Sequence, residues 1–260
     1  MASQEAQQGK DEVSALARGL AVLKAIADAD QALSNRDLAD TTGIPKATVS
    51  RLTATLQGSG FLRQSPDSER FSLGPAVLAL GNAFLRHFDF RQQARTHLAE
   101  LAEVAGANVH LAVRDGLDVL LIDTLHPRTA LVLTRMDVGS RMAIATSAAG
   151  RAYVAAAPLA ERTELLRALR EQAGKAAAKV MKAVDLALTE YDQRGFCSSF
   201  GEWHPDVHAL GFALHGPRGE LYAVSVGGPA YKLPREMLLD RVGPRLLETR
   251  RAIEREIGVA

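Results

Sequence analysis

Gly43-Ile-Pro-Lys-Ala-Thr-Val-Ser-Arg-Leu52 decides the reading of this chain. Gly43 breaks a short helix, and Pro45 can open the next because the first helical position needs no N–H donor. Val49, Leu52 and Leu56 then fall on one face of that second helix. Upstream, Ser34 is a good N-cap for a short helix carrying Leu38 and Ala39. Two short helices crossing around a tight turn need a small residue in the first, a φ > 0 residue in the turn and an aliphatic one in the second. Ala39, Gly43 and Val49 fill those places, with Leu38, Ile44 and Leu52 beside them. Phe61–Arg63 and Arg70–Leu73 flank the turn-rich Ser65-Pro66-Asp67-Ser68-Glu69, which reads as a hairpin. The unit is a helix-turn-helix with a wing.

The second helix predicts DNA contact. Its non-core face carries Lys46, Ala47, Thr48, Ser50 and Arg51, and no carboxylate lies between Gly43 and Gly60. Such side chains donate to phosphates and base edges. The expected contacts are Arg18, Ser34, Arg36, Pro45, Lys46, Ala47, Thr48, Ser50, Arg51, Arg63 and Arg70.

Outward from this unit, residues 1–12 read as a polar tail and Val13–Ile26 as an amphipathic helix. Pro75–Leu85 is helical and bridges to a second domain. The domains are expected at 13–74 and 89–260, with a linker helix over 75–88. After a helix at Phe90–Ala105, short β-type runs follow at Val109–Val113, Val119–Ile122 and Leu131–Leu133, the first two joined at Asp115-Gly116. Helices are expected at Ala148–Ala157, Glu161–Leu169 and Lys175–Tyr191, strands at Val207–Leu214 and Leu221–Val226, and one closing helix at Arg235–Ile257.

Composition sets the bounds. The 260 residues carry 31 Lys plus Arg against 30 Asp plus Glu, a net +1, so a globally basic nucleic-acid coat is excluded and a local basic face is what remains. Cys197 is the one cysteine, so no intrachain disulfide can form and a reducing cytoplasm is expected. No apolar run reaches membrane-spanning length, and no signal-peptide core opens the chain. The fold class is α+β.

Three blocks resemble the IclR family of bacterial transcriptional regulators: Ser14-Ala-Leu-Ala-Arg-Gly-Leu-Ala-Val-Leu23, Gly43 to Leu52, and Phe71-Ser-Leu-Gly74. Gly139 to Tyr153, Gly195 to Leu214 and Val224 to Pro229 resemble its effector-domain segments, with Ala143 standing where the family often has Pro. The resemblance implies a GAF-like effector-binding domain with a curved antiparallel sheet, and dimers or tetramers on a palindromic operator in double-stranded DNA. It places ligand contacts at Ala148, Ala149 and Gly150, at Cys197, Ser198, Glu202, His204, His208 and Ala209, and at Ser225 and Gly227.

The residue chemistry there suits a small organic acid. A helix opening on Ala and Gly lets an anion approach its N–H groups. Thr146, Ser225 and His208 add donors, and Phe200 and Trp203 offer flat walls for an aromatic ring. Two other readings stay open. Cys197, His204 and His208 form a possible three-ligand zinc site, which would make a metal sensor. An enzyme acting on a small acid would need an activated nucleophile, and no GxSxG, P-loop, HExxH or CxxC motif occurs. No cofactor is expected.

Overall fold

The structure, a computed structural model, describes residues 14–128 and 136–259. The expected polar tail and the strand at Leu131–Leu133 lie outside the described residues. Contacts divide the chain after His87 into two compact units.

In the first unit, α1 (Ser14–Ala27), α2 (Asn35–Thr42) and α3 (Lys46–Gly58) pack around Val22, Leu38 and Val49, all fully buried. Ser34 caps α2: its Oγ accepts from Asp37 N, while Asp37 Oδ2 accepts from Ser34 N. Gly43 ends α2 at φ 69°, the left-handed region that favours glycine. The buried Thr53 hydroxyl reaches across to Asn35 Oδ1 at 2.9 Å, tying α3 to the start of α2. A three-stranded antiparallel sheet, β1 (Leu33–Ser34), β3 (Arg70–Leu73) and β2 (Leu62–Gln64), forms the wing. Its α4 (Pro75–Arg86) opens on a proline at its first turn.

The second unit is built on a six-stranded antiparallel sheet in the order β6-β5-β4-β9-β8-β7. The strands are β4 (Asn108–Asp115), β5 (Asp118–Leu125), β6 (Arg141–Ala143), β7 (Cys197–Phe200), β8 (Val207–His215) and β9 (Leu221–Pro229). A register shift between Leu111 and Ala112 adds local twist and helps the sheet curve. One face carries α5 (Phe90–Ala105), whose Phe90 ring stacks on Tyr222 at 4.6 Å. The other carries α6 (Ala148–Ala156), with α7 (Leu159–Ala173) and α8 (Ala177–Arg194) outside it.

The expected closing helix is three pieces: α9 (Arg235–Met237), a π-helical turn (Leu238–Val242) and α10 (Gly243–Glu256). Pro244 explains the break, since it has no N–H to continue the ladder and sits at the first turn of α10. Strands β6 and β7, three and four residues long, carry too short a pattern to stand out in the sequence.

Gly74, between β3 and α4, tests the packing of the winged unit. A Cβ there would stand 2.3 Å from the Gly60 carbonyl oxygen, a backbone atom that cannot swing away. Gly74→Ala is expected to cost the winged unit about 1–3 kcal/mol, as overpacking does. Urea unfolding followed by circular dichroism checks it, and an unchanged midpoint would refute the crowding.

Candidate DNA-reading helix and effector cavity

Helix α3 presents its N-terminal half outward. Pro45, Lys46, Ala47, Ser50 and Arg51 are exposed and Thr48 is half-buried. Pro45 caps the helix without a side-chain hydrogen bond, so the positive end of its dipole also faces out. Arg18 of α1 lines one groove with Thr48 and Arg51. The wing contributes the exposed Arg63. The remaining expected contacts are differently occupied. Arg70 donates to Ala32 O at 2.8 Å and to Asp37 Oδ2 at 3.0 Å, pinning the wing to α2. The Ser34 hydroxyl is consumed as the cap of α2. Arg36 is exposed beside Asp40, one turn away at 3.9 Å.

A small cavity of about 40 Å³ lies between the sheet and the segment leading into α6. Of the expected effector residues, Ala148, Trp203, Ala209, Ser225 and Gly227 line it. Register explains the grouping. Ser199, Ala209, Gly227 and Asn108 form one row across β7, β8, β9 and β4, and Gly211, Ser225, His110 and Thr124 form the next. Met136, Met142, Val207 and Trp203 supply apolar surface. Ser147 also lines it and caps α6, accepting from Gly150 N at 3.1 Å.

The other expected contacts point elsewhere. Side chains alternate across a strand, so Ser198, Phe200 and His208 lie on the opposite face from Ser199 and Ala209. There Phe200 and His208 meet edge to face at 5.2 Å, Arg235 stands over the Phe200 ring, and His208 Nδ1 lies 2.9 Å from Leu233 O. Ala149 and Gly150 are buried in packing; a Cβ at 150 would meet Ile144 Cα at 2.4 Å. Thr146 offers its carbonyl to Ser199 Oγ at 2.8 Å and does not line the cavity. Glu202 accepts from Phe200 N and faces the buried Arg151. His204 is exposed, with Asp206 N donating to its Nδ1. Cys197 donates from its thiol to Ala187 O at 3.3 Å, and burial pushes that thiol well above the usual range. Cys197, His204 and His208 therefore do not converge, and among the described residues no group of three such side chains could hold a metal. The zinc-site reading is corrected on that geometry.

Asn108, His110, Ser147 and Ser199 were missed. A signal was available for two of them: Asn108 and His110 are polar side chains at alternate positions of the otherwise apolar first half of β4. His110 is 7% exposed, and its Nδ1 lies 3.3 Å from Thr124 Oγ1. Among the described residues its Nε2 has no hydrogen-bond partner, and neither has the Ser225 hydroxyl. Burial, reinforced by His126 and opposed by Asp137, holds the imidazole down at about 4, so it is neutral at pH 7.

A winged helix-turn-helix unit and a curved-sheet unit with a small cavity define the class: a two-unit, DNA-binding transcriptional regulator. The chain belongs to the IclR family. Residues 82–255 match the family model for the bacterial transcriptional regulator IclR C-terminal, and residues 15–66 match the IclR helix-turn-helix domain. The HTH-type transcriptional regulator TsaQ1/TsaQ2 of Comamonas testosteroni is 30% identical over 98% of this chain and 92% of its own length. An IclR family regulator from Brucella abortus is 38% identical, with a TM-score of 0.81 over 95% of this chain and 93% of that one. An IclR homologue from Microbacterium hydrocarbonoxydans, crystallised with 4-hydroxybenzoate, shares the fold at 20% identity, with a TM-score of 0.75 over 95% of this chain and 100% of that one. Among the described residues no helix is long and apolar enough to cross a membrane.

The buried imidazole makes a stability prediction. Its folded-state pKa is depressed, so the unfolded chain binds the extra proton between pH 6.5 and about 4. Its contribution is intact above pH 6.5 and is lost as pH falls through that window. The loss is about 3 kcal/mol by the cost of one pK unit. Chemical denaturation across this range should show a smaller acid loss for His110→Gln than for wild type, and equal slopes would refute it.

Proposed function

We propose that this protein is a cytoplasmic regulator of a catabolic operon. It binds a palindromic operator in double-stranded DNA as a dimer or tetramer and changes that binding when a small aromatic carboxylate enters the effector cavity. The observation that carries the reading is the pairing, in one chain, of an exposed cationic helix face with a small, partly open cavity whose lining is mostly apolar with a few neutral polar groups. Met136, Met142, Val207 and Trp203 suit a ring, and Asn108, His110 and Ser225 suit its polar end. One helix-turn-helix reads a short half-site, so two or more copies are needed for useful specificity.

The DNA half is tested on the full chain with fragments selected by the purified protein. Arg51→Ala should cost about 1–3 kcal/mol in a sequence-dependent way. Lys46→Ala should weaken all sequences evenly and lower the salt slope by about one. Unchanged affinity in both would overturn the assignment of α3.

The effector half is tested by thermal shift and calorimetry with benzoate and 4-hydroxybenzoate. A ligand that binds only the folded state raises its melting temperature. Ala209→Leu, which extends a side chain on the cavity wall, should abolish the shift and leave operator binding intact. No shift with either acid, or a shift retained in Ala209→Leu, would overturn the cavity as the effector site.

A further inference from the structure

A carboxylate in this cavity brings a negative charge into a space lined mainly by apolar atoms. Burying a charge without an answering one is strongly unfavourable. Among the described lining residues there is no Lys or Arg, and His110 is the one side chain that can become a cation. Its position fits that task. Nδ1 is held by Thr124 of β5, which leaves Nε2 for an occupant of the cavity. Directly across on β9 is Ser225, whose hydroxyl has no partner among the described residues, and Asn108 stands two residues away on the same face.

We propose that His110 is the residue that reads the effector's charge: it takes one proton from solvent as a carboxylate enters and pairs with it as imidazolium, so that effector binding is coupled to proton uptake. This rests on the carboxylate reading above. The balance is simple: neutral imidazole, a carboxylate anion and one proton from water or buffer give an imidazolium–carboxylate pair, with no covalent bond formed to the ligand.

The surroundings set the direction of the coupling. In the empty cavity burial and His126 disfavour the imidazolium, and Asp137 favours it too weakly to win. His126 is itself held by Asn108 Oδ1 at 3.0 Å. From β5 the ring meets Thr124, from β9 Ser225, and the α6 side of the cavity offers Ser147 and Ala148, all uncharged. An arriving carboxylate is therefore the charge that reverses the balance. Opposite charge nearby raises an imidazole's pKa, and the bound state holds a proton that the free state does not. Affinity should be flat above the bound-state pKa and rise as pH falls below it, by at most about tenfold per pH unit. A neutral isostere gains nothing from this, so the device also selects acids over their amides.

The test is calorimetry on the full chain at about pH 5.5 and 7.5, each in two buffers of different ionisation heat, with benzoate, 4-hydroxybenzoate and benzamide. For the acids, proton uptake should approach one per site at the lower pH, with tighter binding there. Benzamide should show neither uptake nor a pH trend. His110→Gln keeps a neutral donor. It should lose the uptake and the pH trend and bind the acids at least about tenfold more weakly, while its operator binding certifies the fold. His126→Gln should retain the uptake. Imidazole C–H resonances assigned to His110 should titrate upward only with an acid bound. Acid binding by the wild type without proton uptake, or uptake that survives in His110→Gln, overturns the role of His110 and leaves the carboxylate reading standing. Absence of binding by both acids at both pH values overturns that reading and this inference together.

Discussion

The backbone of Ala148 and Ala149 lies against Gly211 so closely that a Cβ at position 211 would sit 2.3 Å from the Ala148 carbonyl. Helix α6 can approach the sheet at this height only because β8 has no side chain there. The contact is reinforced from the helix side, where Gly150 meets Ile144. This approach fixes where the first turn of α6 ends, and hence where the cavity begins. Immediately beside it, the small residues Ala209 and Gly227 leave room that larger side chains would fill. The void is thus a direct consequence of a helix seated on glycine next to a row of small side chains.

Two polar ties hold the segment that roofs this void. Ser199 Oγ donates to Thr146 O, and the buried Arg151 donates from Nε to Ala145 O and from Nη1 to Ser198 O. Both join the 145–146 stretch to β7 across the sheet's edge. A buried guanidinium is tolerable when its donors are satisfied and a carboxylate is near, and Glu202 supplies that charge. Arg151 is therefore spent on architecture. The same holds for Asp123, which Arg95 of α5 neutralises. Charges that a sequence reader would assign to a ligand are already paired within the fold. The polar groups left over for an occupant are neutral ones on β4 and β9.

The winged unit was legible because its signals are local. Ser34 followed by Asp37, Gly43 at a helix end and Pro45 at a helix start each act within one turn of chain, and the structure uses them as caps and breaks. The sheet unit resisted for a different reason. Its strands are read by parity, and a shift of one residue sends a side chain to the other face. Segment-level inference named stretches that border the cavity and included Ala209, but it also took Phe200 and His208, which strand parity puts on the other face, and passed over Ser199. Likewise, Asn108 and His110 stand out only when β4 is recognised as a buried strand in which any polar residue needs a reason. Arg70 looked free because its partners, Ala32 and Asp37, lie far from it in sequence.

Communication between the two functions has a thermodynamic limit. An effector shifts operator affinity only by as much as it binds the two states of the protein differently. In a cavity whose described lining is mostly apolar and has one ionisable side chain, held neutral, shape alone gives modest discrimination between an occupant that fits and one that nearly fits. On the proton-uptake proposal, a buried group that changes charge with the occupant adds a second axis. That group shares its space with the start of α6, since His110 on β4 and the Ser147–Ala148 turn line the same cavity. An occupant that gathers both must bring the sheet and the start of α6 into one arrangement. The seat of α6 on Gly211 leaves little slack for that arrangement to vary, so adjustment falls on the segments around the cavity that do not share this backbone contact.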